Sequence, residues 1–202
     1  MNTSTSIVPG SLQAIATANG GSLAESFVTC DHCIIVDTSG SMGAVDSEPA
    51  RTINEGRKRG QTKTRYERAC DELKTLQATL PGKIAVISFS SGVEFCPSGV
   101  PTNLGSSTDL AGALKFARVA DDCDMSFTVI SDGQPDSEEA ALREAAKYTS
   151  KISTVFCGSA GGPGEEFLRR LAQASGGQAV TSAHAVNLGK DVQRLLTTGT
   201  TR

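Results

Sequence analysis

Between Asp37 and Ser41 the chain sets an acid and two hydroxyls at alternate positions, Asp37-Thr-Ser39-Gly-Ser41. Three oxygen side chains so close on one turn form a donor set for a hard cation such as magnesium, which takes oxygen ligands. Gly40 between the serines relieves backbone crowding. Ahead of the acid runs Cys33-Ile-Ile-Val36, an uninterrupted apolar stretch that reads as a strand buried on both faces. Asp37 therefore falls where such a strand ends, at the edge where open α/β sheets bind ligands. Two other stretches send polar side chains to the same edge. Thr108 closes the loop of residues 98–107 directly before a helix, and Asp132 follows the run Ser126–Ser131. Asp37, Ser39, Ser41, Thr108 and Asp132 thus bring carboxylates and hydroxyls to one expected rim.

Magnesium prefers near-octahedral oxygen coordination and keeps several waters. Neutral hydroxyls as inner ligands, with carboxylates reaching the ion directly or through water, leave it electrophilic and open to an anionic ligand from outside. No base stands beside the set, so the chemistry indicated is binding, and no enzyme activity is expected. The enzymatic alternatives each lack a part. A phosphatase nucleophile at Asp37 calls for a second acid two residues on, where Ser39 stands. A serine hydrolase can be drawn as Ser41, Asp132 and His184, but Ser39 takes the place of the first glycine in a Gly-x-Ser-x-Gly elbow. The glycines of 158–164 lack the lysine of a phosphate-binding loop. A plainer reading makes the five residues caps and turn formers on a scaffold that uses no metal. Thr108 and Ser41 then cap helices and Asp132-Gly133 is a turn.

The elements that position these residues follow from periodicity. Ser11 caps a short helix bearing Leu12, Ile15 and Ala16, and Ser22-Leu-Ala-Glu25 is a capping box opening a second, with Leu23 and Phe27 on one face. Strands are expected at about 32–37, Lys83–Ser90, Val93–Cys96, Ser126–Ser131, Lys151–Cys157 and Gln178–Thr181. Tyr66, Ala69, Cys70, Leu73, Leu76 and Leu80 mark a helix that Pro81-Gly82 stops. Further helices carry Leu110, Ala113, Leu114 and Ala117, then Leu142, Ala145 and Tyr148 after a cap at Asp136-Ser-Glu-Glu139. Two more carry Phe167, Leu168, Leu171 and Ala172, and finally Leu188, Val192, Leu195 and Leu196. Strands alternating with helices predict right-handed crossovers and a doubly wound α/β fold. Its six-stranded, mostly parallel sheet has helices on both faces, and the hairpin at 83–96 supplies one antiparallel edge strand.

At 202 residues the chain suits one domain, read as an N-terminal tail and helical strap (1–29), a body (30–197) and a short C-terminal tail (198–202). Only 4% of residues are aromatic, so the core must be built from Val, Ile, Leu and Ala. A net charge of −3 gives no reason to expect nucleic-acid binding. No apolar run approaches the ~20 residues of a membrane span, and no signal-peptide pattern opens the chain, so a cytoplasmic protein is expected. Its six cysteines are then expected to be mostly free thiols. Cys30-Asp-His-Cys33 admits a zinc or redox reading against one of small buried thiols. From Arg51 to Arg68 seven basic residues face two acids, a local charge of +5. This is either a solvated loop, over about 43–62, or a basic collar that attracts an acidic partner.

Asp37-Thr-Ser39-Gly-Ser41-Met42, Ser107-Thr108-Asp109-Leu110 and Val129-Ile-Ser-Asp132-Gly133 resemble, in order, the three segments of the metal-ion-dependent adhesion site of von Willebrand factor A domains. The resemblance spans about 30–197, and Ser22-Leu-Ala-Glu-Ser-Phe27 is similar to the start of stand-alone bacterial and phage members. It implies a Rossmann-like sheet and a Mg²⁺ (or Mn²⁺) ion held by Asp37, Ser39, Ser41, Thr108 and Asp132. A partner protein's Glu or Asp would complete the coordination. Bacterial relatives of this kind often work beside AAA+ ATPases. The run of 43–62 is longer than the family's usual path into its first helix.

Overall fold

The computed structural model describes residues 7–45, 63–103, 105–158 and 161–181. The strands are β1 (His32–Asp37), β2 (Ile84–Phe89), β3 (Val93–Phe95), β4 (Ser126–Ser131), β5 (Ile152–Phe156) and β6 (Ala179–Thr181). The helices are α1 (Leu12–Asn19), α2 (Leu23–Val28), α3 (Arg65–Thr79), α4 (Leu110–Ala117), α5 (Glu138–Ala145) and α6 (Pro163–Ser175). The strands form one sheet in the order β3-β2-β1-β4-β5-β6, in which only β3 runs antiparallel. This is the Rossmann-like α/β architecture the sequence predicts. The strand order reverses between β1 and β4, so a crevice opens beyond the carboxyl ends of those two strands.

Alternation along each strand divides the core. Cys33 and Ile35 of β1, Ala85, Ile87 and Phe89 of β2, and Phe127 and Val129 of β4 meet Leu110, Leu114, Phe167 and Leu171 on one face. Ile34, Val36, Val86, Ile130 and Val155 meet Ala69, Leu73 and Leu76 of α3 on the other. Ile34 and Ile35 are fully buried, and burying side chains of this size contributes about 1.5–3 kcal/mol each.

The expected strap at the N-terminus is built into this body. Leu12 is buried in the core, Gln13 N donates to Pro97 O at 2.9 Å, and Gly82 N donates to Gly10 O at 2.9 Å. α2 has its capping box between Ser22 and Glu25 but buries no residue completely. Leu23, Phe27, Phe95, Phe116 and Val119 instead line an open apolar groove beside β3, and none of the candidate site residues reaches it. The final helix expected at Leu188–Leu196, and most of the basic stretch 43–62, lie outside the described residues.

Two local departures have physical causes. Asp136 does not cap α5: Ser137 does, its Oγ accepting from Ala140 N at 3.2 Å, which leaves Asp136 for another partner. A 3₁₀ stretch at Arg118–Cys123, unforeseen in the sequence, continues α4 and presents Asp121 to the α5–β5 connection. There Asp121 accepts from Thr149 N (2.7 Å), Thr149 Oγ1 (3.0 Å) and Ser150 N (2.9 Å). Burial pushes its carboxyl up, but the hydrogen bonds from Thr149 and Ser150 outweigh this and hold it below the usual carboxylate range. A depressed folded-state pKa contributes stability above the unfolded value that is lost as pH falls through the folded one. Asp121→Ala should therefore cost on the order of 2 kcal/mol in urea unfolding at neutral pH. The difference from wild type should shrink below about pH 4.

Candidate metal centre

The end of β1 turns sharply because its own polar groups bond back to it. Thr38 N and Oγ1 both donate to Phe89 O, at 2.8 and 3.0 Å, which pins the turn to the end of β2. Asp37 Oδ1 accepts from Ser39 N at 2.8 Å. A 3₁₀ turn over Gly40–Gly43 then carries Ser41 outward, while Met42 drops into the core with no exposure and takes a contact from Cys157 Sγ at 3.6 Å. The result is a gradient: Asp37 and Ser39 are buried and Ser41 is exposed.

Strand register supplies the second wall. Val36 pairs with Ile130, so the next residues, Asp37 and Ser131, adjoin. Ser131 Oγ donates to Asp37 Oδ2 at 2.6 Å, giving the second oxygen of that carboxylate a partner. Burial pushes the Asp37 carboxyl up; the bonds from Ser131 and Ser39 pull against this, and Asp132 adds to it, leaving the group above the usual range. Asp132 follows with its carboxylate buried, and Ser41 Oγ donates to its Oδ1 at 2.8 Å. Ser39 Oγ and Ser41 Oγ lie 3.1 Å apart. Ser39, Ser41 and Asp132 thus form one chain of oxygen contacts across the β1/β4 crevice, joined to Asp37 through Ser39 N.

Thr108 is not joined to that chain by a side-chain hydrogen bond among the described residues. It is fixed through its backbone, its N–H donating to Asp136 Oδ1 and its C=O accepting from Asp136 N, both at 3.0 Å. Asp109 N donates to Ser90 O at 2.9 Å, and Asp109, not Thr108, caps α4 through Gly112 N at 2.8 Å. The Thr108 loop is therefore tied both to β2 and to the segment four residues past Asp132.

Sequence reasoning read Asp136 as part of a helix cap and Arg65 as one charge of the basic stretch, and it gave Ser131 and Gly158 no part in the site. Arg65 Nη1 donates to Asp132 Oδ2 at 2.5 Å. Gly158 lies against the Asp132 backbone, where an added Cβ would stand 2.8 Å from Asp132 O. Ser131 is the one with a readable signal, a hydroxyl closing an apolar strand next to an acid.

The donor set fits a small hard cation. Octahedral ligands at the 2.0–2.1 Å typical of magnesium stand about 3 Å from their neighbours. The Ser39–Ser41 and Ser41–Asp132 oxygen separations of 3.1 and 2.8 Å bracket that edge. No three His, Cys, Asp or Glu side chains converge anywhere among the described residues, the rim included, where two carboxylates are joined by hydroxyls instead. At Cys30-Asp-His-Cys33, burial pushes the Cys30 thiol up to about 12 and raises Cys33 further, while His32 Nδ1 meets Ser126 Oγ at 2.6 Å. Both thiols are free and held protonated, which suits packing better than zinc or redox work. His184 lies outside the described residues.

No family model matches the sequence, and no curated protein does. Solved structures are similar in fold. An aerotolerance-related membrane protein from Bacteroides fragilis is 14% identical over 84% of this chain and 99% of its own, with a TM-score of 0.56. BatB from Bacteroides thetaiotaomicron, described as a conserved hypothetical protein, is 16% identical over 84% and 98%, at 0.56. A von Willebrand factor type A protein from Catenulispora acidiphila is 15% identical over 83% of this chain and 42% of its own, at 0.53. At these identities the likeness carries the fold. No helix among the described residues is long and apolar enough to cross a membrane.

Proposed function

We propose that this chain is a divalent-metal-dependent protein-binding module. Asp37, Ser39, Ser41, Thr108 and Asp132 would hold Mg²⁺ (or Mn²⁺), and the ion, when bound, would supply an electrophilic position for a Glu or Asp of a partner protein. The observation that carries the reading is the run of oxygens from Ser39 through Ser41 to Asp132 at 3.1 and 2.8 Å, backed by a buried second carboxylate at Asp37. What the chain itself does is positional. Ser131 and Ser39 hold the Asp37 carboxylate in one orientation, Thr38 anchors the turn, and Asp136, four residues past Asp132, holds the Thr108 loop.

Binding is favoured over catalysis because the exposed hydroxyl of Ser41 donates straight to Asp132. A hydrolytic triad needs an imidazole between those two groups. A cytoplasmic setting agrees with six free cysteines. The AAA+ ATPases suggested by the sequence resemblance are one class of protein to offer as bait. A second reading, a scaffold that works without metal, draws on the Arg65–Asp132 pair, which offsets the charge of one rim carboxylate without an ion.

Calorimetric titration of the wild-type protein with Mg²⁺ and with Mn²⁺ should give saturable binding; a flat titration with both ions would sink the metal reading. Affinity capture should recover partners with Mg²⁺ present and lose them in EDTA, and should weaken in Thr108→Ala. Capture that ignores EDTA would favour the scaffold.

A further inference from the structure

Arg65 is the first residue of α3, where the partial positive charge of a helix N-terminus disfavours a cation. Its guanidinium nevertheless turns into the rim. Nη1 donates to Asp132 Oδ2 at 2.5 Å, with the arginine side chain 13% exposed and the carboxylate fully enclosed. The backbone fixes this placement, since Arg65 N donates at 3.0 Å to the carbonyl of Ala44, three residues past Ser41. The other Asp132 oxygen takes the Ser41 hydroxyl. Asp132 is thereby held between a proposed metal ligand and a cation of the chain's own.

We infer that Arg65 is a built-in counter-ion of the rim, and that a divalent cation seated on Ser39, Ser41 and Asp132 competes with its guanidinium for the charge of Asp132. The inference rests on the metal reading above and adds to it what sets the affinity. Two carboxylates face the crevice, and the guanidinium offsets the formal charge of one of them. A metal ion arriving at Asp132 meets a like charge within a few ångströms, in a partly desolvated place where Coulomb repulsion is weakly screened. In the metal-free protein the same pair spares Asp132 the cost of a buried carboxylate without a counter-charge. Arg65 would thus let the domain fold without metal while lowering its affinity for the ion.

The test uses the whole chain and the metal alone. Mg²⁺ and Mn²⁺ titrations are compared for wild type, Arg65→Met and Arg65→Lys. Arg65→Met keeps the aliphatic stem without the charge and should bind at least about tenfold more tightly, while Arg65→Lys stays near wild type. Melting in EDTA is the second readout. Arg65→Met should melt lower than wild type, and the same change made on Asp132→Asn should cost clearly less. Metal binding that Arg65→Met leaves unchanged or weakens overturns the competition and leaves the metal reading standing. Absence of binding in all three proteins overturns both. Equal melting losses on the two backgrounds show that Arg65 is no counter-ion of Asp132 and overturn the inference by themselves.

Discussion

Asp37→Asn should weaken Mg²⁺ binding on the order of a hundredfold and yet raise the stability of the metal-free protein. The loss follows from removing charge beside the ion at the deepest point of the rim, and lies at the upper end of the tenfold to hundredfold typical of disturbing a ligand's supporting contacts. The gain follows from burial. Asp37 has no exposure, and its ionisation is opposed by desolvation and by Asp132, with only hydrogen bonds from Ser131 and Ser39 to favour it. Asparagine keeps an oxygen to accept from Ser39 N and offers Ser131 an amide donor, so the geometry is retained while the charge is removed. Unfolding in EDTA should show the variant more stable than wild type, because asparagine lacks the charge that burial penalises. Adding Mg²⁺ should reverse the order, because at a hundred times its dissociation constant an ion stabilises the wild type by about 2.7 kcal/mol. A variant less stable than wild type in EDTA, or one that binds the ion as tightly as wild type, would contradict this account.

The second large effect is expected at Gly158. Glycine is required there for space: an added Cβ would stand 2.6 Å from the Phe156 ring and 2.8 Å from Asp132 O, well inside contact distance. The ring and the backbone carbonyl cannot both give way. Gly158→Val should cost about 2–3 kcal/mol, the range for forcing extra methyl groups into a packed interior. It should also displace the Asp132 segment and so reduce metal binding, although residue 158 donates nothing to the ion. Urea unfolding and metal titration of the same preparation would check both halves. Unchanged affinity in a destabilised variant would separate packing from site geometry.

The contrast between these two residues shows how much was legible in the sequence. Asp37, Ser39 and Ser41 could be read because their spacing is local and the strand before them is unbroken. Asp132 could be read because a second apolar run ends at it. Thr108 could be read as a loop residue before a helix, but its attachment through Asp136 depends on a contact 28 residues away, and the cap pattern around Asp136 pointed to a different use. Arg65 was hidden by its company: within a stretch of seven basic residues, one charge turned inward looks like the rest. Gly158 carries no side-chain signal at all, since its role is the room it leaves. Residues whose function is pairwise and distant, or consists in being small, are set by the tertiary register of β1, β4 and β5, which no window of sequence contains.

The hydrogen bond from Arg65 N to Ala44 O joins the two ends of the chain segment that leaves the rim after Ser41 and returns at α3. Closing a loop costs entropy that grows only with the logarithm of its length, about 0.6 kcal/mol per doubling. With its ends already clasped, this segment can change in length at little cost in closure entropy. A change of length in this segment that keeps the Thr64 cap of α3 is therefore a way to alter what surrounds the rim while α3 keeps its start.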